Sequence, residues 1–377
     1  MNRFDSSLQR LAQTCALCWD QCVSACPVVE STRSTVAYPS RLAAVAWELG
    51  RGRLAPDASL ALALQQCIAC NACTTDCLYL EAPCDVTPVV HWARRVLVEA
   101  GQATQAMQAL LAHVLADGSP YGNVGPELAA LIEASGPRAK AASVVLYADA
   151  ATLHLAPTMA YSALRLLRAL GRPQVAIARQ ACAGGELWHY GYVEQATAIA
   201  RSVADDICQL APEIVLTLSP AVAHLLRHVY PAELGVQIPA RVLTLPEFIA
   251  REIDANPSRW RPRDDSVYLI VSHAEIHQLH SDAAQRVLEC CAASLANPRS
   301  DRPHRTMSYP EGIVLDIHPD PRRAILQRLI ASIRRSQATQ IVVTHACALE
   351  ALGSAHLPAP LSDLASYVLG TLHNEPS

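Results

Sequence analysis

The 377-residue sequence predicts an α+β protein, in which a mostly helical, cysteine-rich domain precedes a duplicated α/β region with parallel sheets. Three observations carry this prediction. Nine of the fourteen cysteines lie between Cys15 and Cys84, at either end of a helical-looking stretch. From Ala142 onward, short β-rich runs alternate with longer helical patterns, as strand–helix–strand units require. Two segments of that region, Ala211–Ala221 and Ala338–Ala348, also match in outline, each preceded by an amphipathic helix and an upstream strand. Such self-similarity is the mark of a repeated unit.

Residues 1–100 read as the first domain. Its helical stretch, Ser40–Gly50, ends on a glycine placed to stop a helix. The cysteine groups flanking it are Cys15-x-x-Cys18-x-x-x-Cys22-x-x-x-Cys26-Pro27 and Cys67-x-x-Cys70-x-x-Cys73-x-x-x-Cys77. In a reducing compartment, cysteines at this density point to metal rather than to disulfides. Closely spaced thiolates wrap three corners of an iron–sulfur cube, and the fourth cysteine of each run completes the other cube, as in bacterial two-cluster ferredoxins. On that logic Cys15, Cys18 and Cys22 with Cys77 hold one 4Fe-4S cluster, and Cys67, Cys70 and Cys73 with Cys26 hold a second.

Two departures from a regular pattern stand out. The first run has one extra residue between Cys18 and Cys22, and Cys77 is followed by Leu78 where proline is usual. Cys84 is therefore the alternative to Cys77: spacing favours Cys77, whereas Cys84-Asp-Val-Thr-Pro-Val-Val resembles what normally follows a fourth ligand. A structural zinc site of four thiolates is the weaker alternative, because eight cysteines fall into two ordered quartets. An isolated dithiol on a strand-to-helix turn is absent, as is the C-x-x-C-H of haem attachment, so neither chemistry is expected.

The helical segment 87–116 runs into a Gly/Pro-containing loop, Asp117–Gly125, and residues 101–141 read as a helical linker. Beyond it the strand-like runs are Ser143–Ala148, Ile214–Leu218, Val267–Ser272 and Ile341–Thr344. The polar, proline-bearing run Asn256–Asp265 reads as a hinge between a first α/β unit, 142–256, and a second, 257–377. A further helix is expected over Asp282–Ala296, where the vicinal pair Cys290 and Cys291 reads as small core residues.

An apolar fraction of 51% and a charged fraction of 17% suit a well-buried globular chain. The net charge is −4, Lys140 is the sole lysine among 30 basic residues, and no arginine cluster is interleaved with aromatics, so nucleic-acid binding is not expected. The opening residues lack the apolar region of a secretory signal, and no apolar run reaches the roughly 18 residues of a membrane span. A soluble, cytoplasmic protein is the expectation.

Taken with its cysteine spacing and domain order, the chain resembles over nearly its whole length a family of iron–sulfur subunits, those related to heterodisulfide reductase and those of anaerobic glycerol-3-phosphate dehydrogenase and of glycolate oxidase. In that family a two-cluster ferredoxin domain precedes two copies of a cysteine-rich CCG domain, whose cysteines in some members bind a noncubane 4Fe-4S cluster. The resemblance implies a non-catalytic electron-transfer subunit. Its partner would be a flavoprotein dehydrogenase or a similar redox subunit, and its acceptor a quinone pool or another carrier. It also implies a place in the cytoplasm or on the inner face of the cytoplasmic membrane, held there through the partner.

The signature cysteines of the second half are mostly missing. Cys182-Ala183-Gly184-Gly185 keeps one cysteine of the first CCG, and Pro220-Ala221-Val222 stands where PSC would be. His273-Ala-Glu-Ile-His277 stands for H-x-x-C-H, the second CCG is lost near Pro310-Glu311-Gly312, and Cys347 is left as a terminal remnant. Cys182 and Cys347 cannot supply four thiolates, so this half is expected to be a degenerate scaffold. The alternative is a thiol–disulfide oxidoreductase of heterodisulfide reductase type with a further cluster there. His273 and His277 would face one way on a helix, but no third ligand is evident, so they read as remnants or as local hydrogen-bonding groups. Gly184-Gly185 lacks the rest of a G-x-G-x-x-G turn, so nucleotide binding is not expected.

Overall fold

The computed structural model describes residues 4–77, 84–136, 142–172, 174–298, 307–312 and 319–373. The chain forms two compact units: residues 1–116 with 184–196 and 313–325, and residues 117–183 with 197–312 and 326–377. Among the described residues no helix is long and apolar enough to cross a membrane.

The first unit is helical: α1 (Ser6–Ala16), α2 (Pro27–Thr32), α3 (Pro39–Gly50), α4 (Ala58–Gln65), α5 (Ala72–Thr75) and α6 (Thr87–Glu99). Local chemistry explains the starts. Asp5 accepts the N–H groups of Ser7 and Leu8 at the head of α1, and Asp57 accepts that of Leu60 in α4. Helices α2, α3 and α6 each have proline in the first turn, where its missing N–H leaves no hydrogen bond unmade. Buried Leu42, Ala43, Ala46 and Leu49 make α3 the centre of a core shared with Ala12 of α1 and Val89, Val90, Ala93 and Leu97 of α6. The run 87–116 is not one helix: α6 stops at Glu99, Gly101 turns the chain at φ 71°, and a separate helix spans Gln105–Asp117.

The second unit holds two all-parallel sheets. Strands β1 (Val144–Tyr147), β2 (Val175–Ile177), β3 (Ile214–Thr217) and β4 (Arg241–Thr244) lie in the order β2-β1-β3-β4. Strands β5 (Arg263–Ser272), β6 (Ala292–Leu295), β8 (Gln340–Val343) and β9 (Leu361–Asp363) repeat it as β6-β5-β8-β9, with β7 (Ser308–Tyr309) pairing the end of β5. The four strands visible in the sequence are β1, β3, β5 and β8, the second and third strand of each order. The two matching segments contain β3 and β8, which occupy equivalent places, so the duplication is a property of the fold. One apolar core takes Leu146 and Leu216 from the first sheet and Val267, Leu269 and Val342 from the second.

One expectation is corrected here. The helix expected over 282–296 ends at Cys291, and the next four residues form β6; Cys291 is buried, whereas Cys290 is exposed. The run 256–265 lies between the last strand of the first sheet and the opening of β5, with its Trp260 buried in the shared core.

The C-terminal ends of these strands pass directly into helices. Asp149 after β1, Ser219 after β3, and Thr244, Ser272 and Asp363 at the last positions of β4, β5 and β9 each accept a backbone N–H of the helix that follows. These are helix caps.

Candidate metal centre

Cys15 is buried in the last turn of α1, and Cys18 follows two residues beyond it. Asp20, at φ 59°, occupies the left-handed region and turns the chain into the short helix Gln21–Ala25 that carries Cys22. That turn accommodates the extra residue of the first run. Cys26 then caps α2, with Pro27 in its first turn. The second run is bent in the same way: Ala69 (φ 47°) and Asn71 (φ 56°) are left-handed on either side of Cys70, and α5 carries Cys73. Non-glycine residues in this region are uncommon and gather where surrounding structure dictates the backbone. Here the fixed point is Asp85, which accepts Thr74 Oγ1 at 3.3 Å and Thr87 N at 2.9 Å; Thr87 Oγ1 in turn donates to Asn71 Oδ1 at 2.5 Å.

These turns bring the sulfurs together. Cys15, Cys18, Cys22, Cys73, Cys77 and Cys84 line one cavity with Asp20, Pro39, Ser40 and Val86. Backbone amides point at sulfur: Ala69 N donates to Cys67 Sγ and Cys84 N to Cys77 Sγ, both at 3.4 Å. Burial pushes the Cys22 thiol up to about 12, with Cys18 and Cys77 adding to it, and raises Cys15, with Cys22, Cys84, Cys18 and Cys77 adding. In a second set, burial takes Cys26 up to about 11 and raises Cys67, Cys70 and Cys73; Cys26 adds to the rise at Cys70, and Cys70 and Cys67 to that at Cys73.

Thiols that oppose one another's ionisation in a buried site need bound cations to become thiolates. The donors fit an iron–sulfur group on a second count. Ser40, only 1% exposed, lines the cavity with its Oγ lacking a hydrogen-bond partner among the described residues, and a hydroxyl so placed suits a sulfur acceptor. Among the described residues no three His, Cys, Asp or Glu side chains converge to hold a single metal ion.

Residues 11–79 match the 4Fe-4S dicluster domain family. The chain therefore carries an iron–sulfur, ferredoxin-like, metal-binding domain of the kind that transfers electrons. The dicluster match includes Cys77 and ends before Cys84. No curated protein matches the chain. Among solved structures, an aspartate racemase homologue from Pyrococcus horikoshii OT3 aligns at 9% identity and a TM-score of 0.29, over 62% of this chain and 96% of that one.

In the second unit Cys182 is buried beyond β2, and Cys347 is buried in the first turn of the helix Ala346–Gly353. His273 and His277 are buried on the short helix after β5, their ring centroids 5.8 Å apart. The carboxylates around them carry no motif that marks them in the sequence. Glu311 accepts Ser219 Oγ at 2.5 Å and Ala221 N at 3.1 Å, which joins the Pro310–Gly312 segment to the head of the helix Pro220–His224. Glu275, 1% exposed, accepts Thr344 Oγ1 at 3.1 Å. Burial pushes Glu275 up to about 8 and Asp149 up to about 6, with Glu311 adding in both cases. Equally unmarked is Arg94 of α6, which sits behind the second cysteine run. A lone arginine in a helix has no spacing signal.

Proposed function

We propose that this chain is the electron-transfer subunit of an oxidoreductase complex and holds two 4Fe-4S clusters. Cys15, Cys18, Cys22 and Cys77 would ligate one, and Cys67, Cys70, Cys73 and Cys26 the other. The observation that carries the reading is the crossed grouping. Cys77 of the second run lines a cavity with Cys15, Cys18 and Cys22, as Cys73 and Cys84 also do, while Cys26 of the first run is the neighbouring thiol that most opposes ionisation of Cys70. Two facts favour Cys77 over Cys84: its sulfur receives a backbone N–H, and it lies inside the matched residues.

When bound, such clusters take up and release single electrons without bond changes at the protein. The chain's own residues would hold the thiolates, aim backbone amides at sulfur, and bury the site, which together set the potential. A flavoprotein dehydrogenase or similar subunit as donor, a quinone pool or other carrier as acceptor, and residence in the cytoplasm or at its membrane through the partner rest on the resemblance to the heterodisulfide reductase-related subunits.

The test is iron and sulfide analysis of anaerobically purified protein, with electron paramagnetic resonance after dithionite reduction. About eight irons per chain and two interacting cubane signals are expected. Cys77→Ser should lose one signal and Cys84→Ser should keep both. Protein without iron and labile sulfide would overturn the reading, and about twelve irons would overturn the count by placing a cluster in the second unit.

A further inference from the structure

We propose that Arg94 is the fixed counter-charge of the cluster held by Cys67 and raises that cluster's reduction potential. The proposal rests on the iron–sulfur reading above and assigns a positioning role to a residue outside the ligand set.

Arg94 is 1% exposed. Its Nη2 donates to the carbonyl oxygens of Leu64 at 2.7 Å, Gln65 at 3.3 Å and Cys67 at 2.5 Å. Its Nη1 donates to the His189 carbonyl at 3.1 Å and lies 2.7 Å from His189 Nε2. The guanidinium carbon stands 5.2 Å from the Tyr190 ring centroid. Arginine can only donate, so His189 Nε2 accepts, and His189 Nδ1 then donates to His91 Nε2 at 3.0 Å. Every one of these partners is neutral.

Among the described residues this buried cation has no carboxylate partner, and the ionisable groups that bear on it are Cys67 and Tyr190, the latter held neutral by burial. An uncompensated buried charge is costly, and arginine does not relieve the cost by losing its proton. A cluster held by four thiolates is an anion, and reduction adds one more negative charge. A positive charge held beside it favours the reduced form. The same guanidinium fixes the backbone of Cys67, so charge and ligand are set by one side chain. Its planar fork engages carbonyls across Leu64–Cys67.

The cage is built from far along the chain. His189 and Tyr190 belong to the 184–196 segment of the first unit. That segment lies against α6 at Gly191, where φ is +91° and an added Cβ would stand 2.7 Å from Arg94 C and Arg95 N. The close approach requires glycine.

Redox titration of the intact protein, followed by electron paramagnetic resonance, tests this with Arg94→Gln and Arg94→Lys. In Arg94→Gln one potential should fall by at least about 59 mV, a tenfold shift for a one-electron couple, while the other holds; Arg94→Lys, which keeps the charge, should stay near wild type. Arg94→Gln with full iron and unmoved potentials would overturn the proposal. If Arg94→Gln fails to load, His189→Glu, which gives the guanidinium a carboxylate, is compared with His189→Gln: a lower potential in His189→Glu supports the proposal and equal potentials overturn it. Wild-type protein without iron would remove the cluster reading and this proposal together, whereas loaded protein with unmoved potentials removes only this one.

Discussion

The cysteines proposed as ligands stand out in the sequence because their spacing is local. Three of every four thiols come from one short run, so spacing alone points to a cube. Arg94 was illegible for the opposite reason: its partners lie 27 to 95 residues away, and nothing in the helix Thr87–Glu99 distinguishes it from its neighbour Arg95. Gly191 belongs with Arg94, since its left-handed backbone and its contact with α6 both exclude a side chain. Gly191→Ala should destabilise the first unit by roughly 1–3 kcal/mol, the usual cost of a strained or overpacked position. The check is a lowered midpoint in chemical denaturation together with faster loss of the iron–sulfur absorbance.

At the scale of elements, strands rich in β-branched residues and buried on both faces announced themselves, as β1, β3, β5 and β8 did. The short strands did not. Ala292-Ala-Ser-Leu295 has the composition of a helix continuation and becomes β6 because it pairs with β5, a tertiary choice that outweighs local propensity. The strand ends were equally silent about the carboxylates that gather there. Glu275 follows β5 and titrates near 8 in the folded chain, raised by burial from the ordinary glutamate value. An acid raised in the folded state contributes its full stability below its unfolded value and loses it as pH rises through the folded one. The melting temperature of the second unit should therefore fall between about pH 5 and pH 9. Glu275→Gln should flatten that dependence and gain roughly a few °C at the alkaline end, which differential scanning calorimetry across that range would measure. A wild-type melting temperature that does not fall with pH would sink the idea.

For the whole molecule, the duplicated α/β order was readable and its outcome was not: two sheets that look like separate units share one core through Trp260 and its neighbours. Nor did the sequence announce that residues 184–196 belong with the cysteine-rich unit. A fragment ending at residue 141 contains every proposed cluster ligand yet lacks His189, Tyr190 and Gly191. It should hold less than the full complement of iron and lose it faster in air than the intact chain, as iron analysis over time would show. Equal iron content and equal lifetime would mean that the ligand runs suffice alone.

The long reach from Arg94 to His189 also sets a schedule. On a ribosome adding roughly 5–20 residues per second, the 95 positions between them correspond to about 5 to 20 s during which all nine cysteines of the first domain have been made but the guanidinium has no cap. During that interval the carbonyls of Leu64, Gln65 and Cys67 are the guanidinium's available partners, and a pause in translation before residue 189 would lengthen it.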